Sequence, residues 1–225
     1  RIQPGVRRVL NGIDLEGDWL DLGCGSGALS LEWSRQFEGR GCRRGSYLGL
    51  DFSAGLLDEA RGNLPPLPAG LDIAFQPVDL AGQEWSAPLR DRRFDGALSF
   101  AVLHHIPGET LRASILRSLH GFLKPGAHFI HSEWQFLHSP RLAERVLDWS
   151  VVGLDSTDLE PGDALLDWRH SLPGQSGQVG LRYVHLFSLP ELERLAADSG
   201  FKILETFESD GQGGRLGLYQ LWQAI

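Results

Sequence analysis

The residues best placed to do chemistry are three aspartates and three glycines in the first third of the chain. Asp21 stands two positions ahead of Gly23, and Gly25 and Gly27 follow in DLGCGSG (21–27); Asp51 and Asp79 each come at the end of a later apolar run. Alternating glycines let the backbone turn sharply and approach a ligand without side-chain clash. A helix opening behind them offers unpaired N–H groups to whatever sits there. Gly23, Gly25 and Ala28 also satisfy the G-x-G-x-x-G/A spacing of dinucleotide-binding turns, so the glycines alone do not select a ligand. Asp21 argues against a dinucleotide, because a carboxylate there repels pyrophosphate and suits the ammonium of a methionine moiety. Asp51 can accept from both hydroxyls of a ribose. Asp79 can accept from an adenine amino group, or simply cap the helix that follows. Cys24 reads as a small turn residue rather than a nucleophile.

These groups need a scaffold that brings them to one edge. Short apolar runs alternate with helix-period segments, the pattern of a parallel sheet wrapped by helices. Strands are expected at 17–22, 46–51, 72–78, 94–100 and 127–134. Helices are expected over 28–38, from Ser53 as N-cap, and over 109–123, the last ending in a turn at Lys124-Pro125-Gly126. Ligands of such sheets lie at the carboxyl ends of the strands, where Asp21, Asp51 and Asp79 all fall. The next fifty residues break the alternation: one amphipathic helix is expected near 140–152, and 153–180 reads as loop. Ser188-Leu-Pro-Glu191 is a capping box, Gly200 stops its helix, and strands at 201–207 and 216–223 form an antiparallel hairpin around Asp210–Gly214. The reading is one domain, 1–225, with an insertion on the substrate side at about 135–187.

Composition bounds the rest. The chain has 225 residues, 42% of them hydrophobic, enough for a single core. Its charge is −8, which argues against broad non-specific nucleic-acid binding but leaves room for a local patch. Its two cysteines, Cys24 and Cys42, allow no disulfide framework and point to a reducing, cytoplasmic setting. No run of about 18 apolar residues could span a membrane. The sequence begins at Arg1 and contains no methionine, so a leading segment is expected to precede it.

DLGCGSG, YLGLDFSAGLLDEAR (47–61), the Asp79-Leu80 pair, FDGALSFAVLHHI (94–106) and LKPGAHFI (123–130) together resemble the class I S-adenosylmethionine-dependent methyltransferases. The resemblance covers nearly the whole chain. It implies a Rossmann-like α/β fold, with a seven-stranded mostly parallel sheet, helices on both faces and an antiparallel C-terminal hairpin. It also implies S-adenosylmethionine as methyl donor and S-adenosylhomocysteine as product, with no metal. The donor-binding residues it implies are Asp21, Gly23, Cys24, Gly25, Gly27, Asp51, Phe52, Ser53, Asp79, Leu80, Phe100, Ala101 and His105. His104 and His105 match a Leu-His-His segment whose histidines more often line the pocket than act as bases.

The acceptor is to be sought in the insertion. Arg182, Tyr183 and His185 put a cation, a phenol and an imidazole within four residues, and in an extended segment Tyr183 and His185 share one face. GDALLDWR (162–169), LRYVHLFSLPELE (181–193), Trp134-Gln135 and the opening Arg1-Ile2-Gln3-Pro4 resemble the family that methyl-esterifies a carboxymethyl group on the wobble uridine of transfer RNA. That resemblance implies Arg182, Tyr183 and His185 as acceptor-site residues, transfer RNA as a partner and, by analogy with eukaryotic members, a small zinc-binding activator subunit. Arg7-Arg8, Arg40 with Arg43-Arg44, and Arg90 with Arg92-Arg93 are the candidate phosphate contacts, or ordinary solvated faces. The alternative is a small-molecule O- or N-methyltransferase.

Overall fold

The computed structural model describes residues 2–155, 157, 159–170 and 178–225; Arg1 and 171–177 lie outside them. A short helix, α1 (Pro4–Gly12), leads into β1 (Gly17–Leu22), α2 (Ala28–Gly39), β2 (Gly45–Asp51), α3 (Ala54–Asn63), β3 (Leu71–Pro77) and β4 (Phe94–Phe100). There follow α4 (Glu109–Phe122), β5 (Leu123–Trp134), α5 (Pro140–Ala143), β6 (Val146–Leu147), β7 (Asp163–His170) and β8 (Gln178–His185). The chain closes with α6 (Leu189–Asp198), β9 (Phe201–Ser209) and β10 (Gly217–Ala224).

Seven strands form one sheet in the order β3-β2-β1-β4-β5-β10-β9. The first five run parallel, and β10 lies antiparallel between β5 and β9. This is the expected fold class. Side-chain alternation explains its two layers. Leu20, Leu22, Leu48, Leu50 and Phe129 pack with α4 and α6, while Trp19, Tyr47 and Ile130 pack with α1, α2 and α3. The chain leaves β1 toward β2 and β3, then returns to start β4 on the other side of β1. The connections that leave the carboxyl ends of β1 and β4 therefore run in opposite directions and leave a crevice between them.

Three expectations are corrected. The strand after α4 begins at Leu123, not at 127: Leu123 pairs with Phe94 and His128 with Gly96, so Lys124–Ala127 bulge out of a continuous strand. The long helix near 140–152 is only the four residues of α5. Val146 and Leu147 instead pair with Leu166 and Leu165 of β7, and Asp148 caps a 3-10 turn through the Ser150 N–H. Part of the region read as loop, 163–170 and 178–180, is strand: β7 and β8 pair antiparallel and join β6 in a second sheet, between β5 and α6 in the chain. Phe136, Ala164, Leu166 and Val184 form its own small core. Among the described residues no helix is long and apolar enough to cross a membrane.

α1 was not anticipated, and it closes one side of the crevice. It packs on the last strand because Gly5 has no side chain: a Cβ there would lie 2.3 Å from the Tyr219 ring. Asp210, at the β9–β10 turn, accepts from the Gly5 N–H at 2.9 Å and from the Tyr219 hydroxyl at 2.5 Å. Gly5→Ala should force the helix off this seat and destabilise the protein by about 1–3 kcal/mol, the usual cost of overpacking. A urea midpoint equal to wild type would show that α1 is not held there.

Candidate active site

The crevice is a cleft of ≈ 230 Å³ at the carboxyl ends of β1, β4 and β5. Asp21, Gly23 and Cys24 form its floor. Phe100, Ala101, Ser132 and Trp134 form one wall, and Ile2, Gln3, Val6, Asp210 and Tyr219 the other. Of the residues expected to hold the donor, Asp21, Gly23, Cys24, Phe100 and Ala101 thus meet in one cavity. Ser132, Asp210, Tyr219 and the α1 wall were missed. They come from the far end of the chain, and no local motif marks them.

The glycine turn is built by the strand next to it. Gly23 and Cys24 donate their N–H groups to the Leu50 carbonyl at 2.7 and 2.9 Å. Gly25 donates to one carboxylate oxygen of Asp51 at 2.9 Å, and Ser53 donates to the other at 2.9 Å. All three glycines have left-handed φ, at +73°, +54° and +78°. Their reasons differ. A Cβ on Gly23 would meet Val102 and one on Gly27 would meet Ala60, whereas a Cβ on Gly25 has nothing within 4 Å. Gly27 is also the N-cap of α2 and supplies no side-chain bond to the helix's first amides.

Asp21 is 2% exposed and accepts from the Tyr47 hydroxyl. Burial pushes its carboxyl up to about 7, and the nearby Asp51 charge adds to the rise, while the Tyr47 bond works against it. A buried carboxyl at the floor of a cleft is a seat for a cation. A sulfonium ligand carrying an amino-acid ammonium fits this set: a carboxyl below, helix amides without a side-chain cap beside it and the Asp51 carboxylate at the end of β2. Asp79 is exposed at the end of β3 and caps the turn through the Ala81 N–H at 2.9 Å. Phe52 is 78% exposed on the same edge, while Leu80 is buried in the core.

The histidines divide. His104 is fully buried: Glu133 accepts from its main-chain N–H at 3.0 Å and lies 2.9 Å from its Nδ1, while the other Glu133 oxygen lies 2.9 Å from His131 Nδ1. Burial alone would raise the Glu133 carboxyl, but the two histidine bonds outweigh it and hold it below the ordinary range. His105 sits behind Trp134, with ring centroids 5.8 Å apart, and its Nδ1 lies 3.1 Å from the Tyr183 carbonyl. A carbonyl only accepts, so Nδ1 carries the proton. Burial, with His104 beside it, pushes His105 down to about 4, so the ring is neutral at neutral pH.

The three acceptor-site expectations part company as well. Tyr183 and His185 share a face of β8 and both bond Asp163, at 2.6 and 2.7 Å. Arg182 projects from the other face, its guanidinium carbon 6.0 Å from the centre of the Trp134 ring.

Two outcomes test this geometry. Asp51→Ala should weaken S-adenosylmethionine binding by about 1.5–3 kcal/mol, the scale of hydrogen bonds to a charged group; calorimetry on the folded variant checks it. Ionised Asp21 attracts a cationic donor and the protonated form does not. Donor affinity should therefore rise with pH between about 6 and 8, by about tenfold at most. In Tyr47→Phe the bond that lowers Asp21 is gone, and the rise should move to higher pH. A flat profile in both proteins would remove Asp21 from the donor site.

Known proteins agree with this architecture. A sequence model described as a methyltransferase domain matches residues 1–206. A protein named as a methyltransferase in Encephalitozoon cuniculi is 26% identical over 186 residues, 83% of this chain and 70% of that one. The crystal structure of an S-adenosylmethionine-dependent methyltransferase from Methanosarcina mazei superposes with a TM-score of 0.70 at 23% identity, covering 100% of this chain and 98% of the other. An S-adenosylmethionine-bound amino pentose methyltransferase from Micromonospora echinaspora gives 0.58 at 16% identity, covering 98% and 89%. These two likenesses speak for the fold; the matched domain and the cleft speak for the activity. The chain belongs to the methyltransferase-domain family and is an S-adenosylmethionine-dependent methyltransferase.

Proposed function

We propose that the methyl group goes to a carboxylate, and that Arg182 holds that carboxylate in line at the outer end of the cleft. The observation that carries this is the Arg182 guanidinium lying over Trp134, a residue that itself lines the cleft beside Ala101 and Ser132. The donor, when bound, supplies an already activated methyl group, so the protein's task is alignment. A carboxylate oxygen forms the O–CH₃ bond as the S–CH₃ bond breaks, and no proton has to be removed. Arginine suits the role because its planar fork can grip both oxygens.

The acceptor taken first is the carboxymethyl group of a modified wobble uridine in transfer RNA. Its support is the likeness of the β7–β8 hairpin and the Trp134-Gln135 pair to that enzyme family. A small carboxylic acid is the second reading, and a specific observation favours it. Arg43 and Arg44 immediately precede β2, and Arg90, Arg92 and Arg93 precede β4, so both clusters lie at the amino-terminal edge of the sheet. The cleft lies at the opposite edge. Arg40, though exposed, is engaged with its own chain, donating to the Leu10 and Ile13 carbonyls. Of the basic pairs, only Arg7-Arg8 on α1 lies near the cleft, and Arg8 already pairs with Glu205 at 2.6 Å. The amino pentose enzyme from Micromonospora shows that this fold also serves small acceptors.

The test is to incubate the protein with labelled donor and either bulk transfer RNA or a cell extract of small acids. Label should enter one fraction as a base-labile ester. Arg182→Lys should lose transfer by about tenfold or more through loss of the bidentate grip, with donor affinity unchanged. Label in an alkali-stable N- or O-methyl product would refute the carboxylate assignment. Transfer to RNA that survives raised salt without loss would count against phosphate contacts.

A further inference from the structure

β8 carries two kinds of side chain on its two faces. Arg182 faces Trp134, and Tyr183 and His185 face the other way into a closed ionic circuit. Tyr183 and His185 bond the same Asp163 oxygen at 2.6 and 2.7 Å, and His185 Nε2 lies 2.8 Å from Glu191 at the start of α6. Glu191 also accepts from Arg112 of α4 at 3.2 Å. Arg112 reaches Glu160 at 2.6 Å, and the Glu160 N–H donates to Asp163 at 3.0 Å, closing the ring. The capping box is only half formed, for this reason: Ser188 caps the Glu191 N–H, but the Glu191 side chain is spent on Arg112 and His185.

The charge state follows from the partners. Each nitrogen of His185 faces a carboxylate, which accepts only, so both carry protons and the ring is an imidazolium. Arg112, with no exposed side-chain surface, is the second cation. Glu160, Asp163 and His185 lie within 4.8 Å of one another, a spacing that could hold a metal ion. Here the guanidinium of Arg112 already lies against Glu160, and the His185 nitrogens are both engaged, so the circuit carries its own cations.

A buried ionic circuit is a costly way to obtain stability, since apolar residues of like volume do as well or better. What it can supply is register. A one-residue slip of β8 would exchange its faces, turning Arg182 away from Trp134 and withdrawing the Tyr183 carbonyl from His105. We propose that Tyr183 and His185 are positioning residues. Through Asp163, Glu191 and Arg112 they lock the register of β8, so that Arg182 stays over Trp134 and the Tyr183 carbonyl stays on His105. This rests on the reading of Arg182 as the acceptor's ligand.

The test compares Tyr183→Phe, Arg182→Ala and the double variant in the full chain. The probes are labelled S-adenosylmethionine with the two acceptor fractions above, and the His105 ring nitrogens observed by ¹⁵N NMR. Tyr183→Phe should lower transfer about tenfold, and Arg182→Ala should add little to it, because residues acting through one contact are non-additive. Its His105 should lose the Nδ1–H signature, and affinity for S-adenosylhomocysteine should stay at wild type. Multiplicative losses, or an unchanged His105 signature in Tyr183→Phe, would overturn the register role. Wild-type transfer in Arg182→Ala would instead remove the acceptor reading, while the His105 spectrum still decides the register role. If Tyr183→Phe does not fold, Asp163→Asn, which replaces one accepting oxygen of the circuit by an amide NH2 that cannot accept, carries the same comparison.

Discussion

The carboxylate of Asp51 spans two loops that would otherwise be independent. One oxygen takes the Gly25 N–H from the turn after β1, and the other takes the Ser53 N–H at the start of α3. A backbone with left-handed φ at three places within five residues has little of its own to hold it in shape. The Leu50 carbonyl and the Asp51 side chain give it three hydrogen bonds from outside. The arrangement leaves Gly25 with empty space where a side chain would lie and leaves the first amides of α2 uncapped. Each carboxylate oxygen has further lone-pair capacity, so Asp51 can hold the turn and a ribose together.

Polar burial elsewhere is concentrated rather than spread. Two circuits account for much of it: His104–Glu133–His131, between β5 and the loop after β4, and Arg112–Glu160–Asp163–His185–Glu191, between the hairpin and the two helices of that face. Phe187 touches the second through both Arg112 and His185. Such groups must be paired to be tolerated in a core. Both circuits join separate elements: the first ties the loop after β4 to β5, the second ties the hairpin to α4 and α6.

How much of this could be read from residues alone depended on whether the information was local. β1 to β4 were legible because their apolar runs are bounded by glycine, proline and aspartate, and the turn after β1 carries its conformational demands in its own composition. Ser188 and Gly200 likewise mark the ends of α6 by capping chemistry confined to a few residues. β7 was not legible, because its Asp163 and Asp167 look like loop residues until their partners are known: a phenol and an imidazole on β8 for the first, Arg145 for the second. Val146 and Leu147 suited a helix by spacing, and became a strand because β7 offered an edge. The cleft walls were hidden for a related reason. Tyr219 and Asp210 matter only because Gly5, more than two hundred residues away, packs on them.

That last contact has a consequence for the order in which the protein becomes competent during its synthesis. The glycine turn, Asp51 and the parallel strands emerge from the ribosome early and can pair with one another as they appear. The helix that walls the cleft is made before all of them, yet its seat on Tyr219 and its bond to Asp210 belong to the final hairpin. Without residues 206–225 the parallel strands remain, and α1 loses the Tyr219 and Asp210 contacts that seat it. The wall that α1 gives the cleft is thus completed only once the hairpin that seats it has been made.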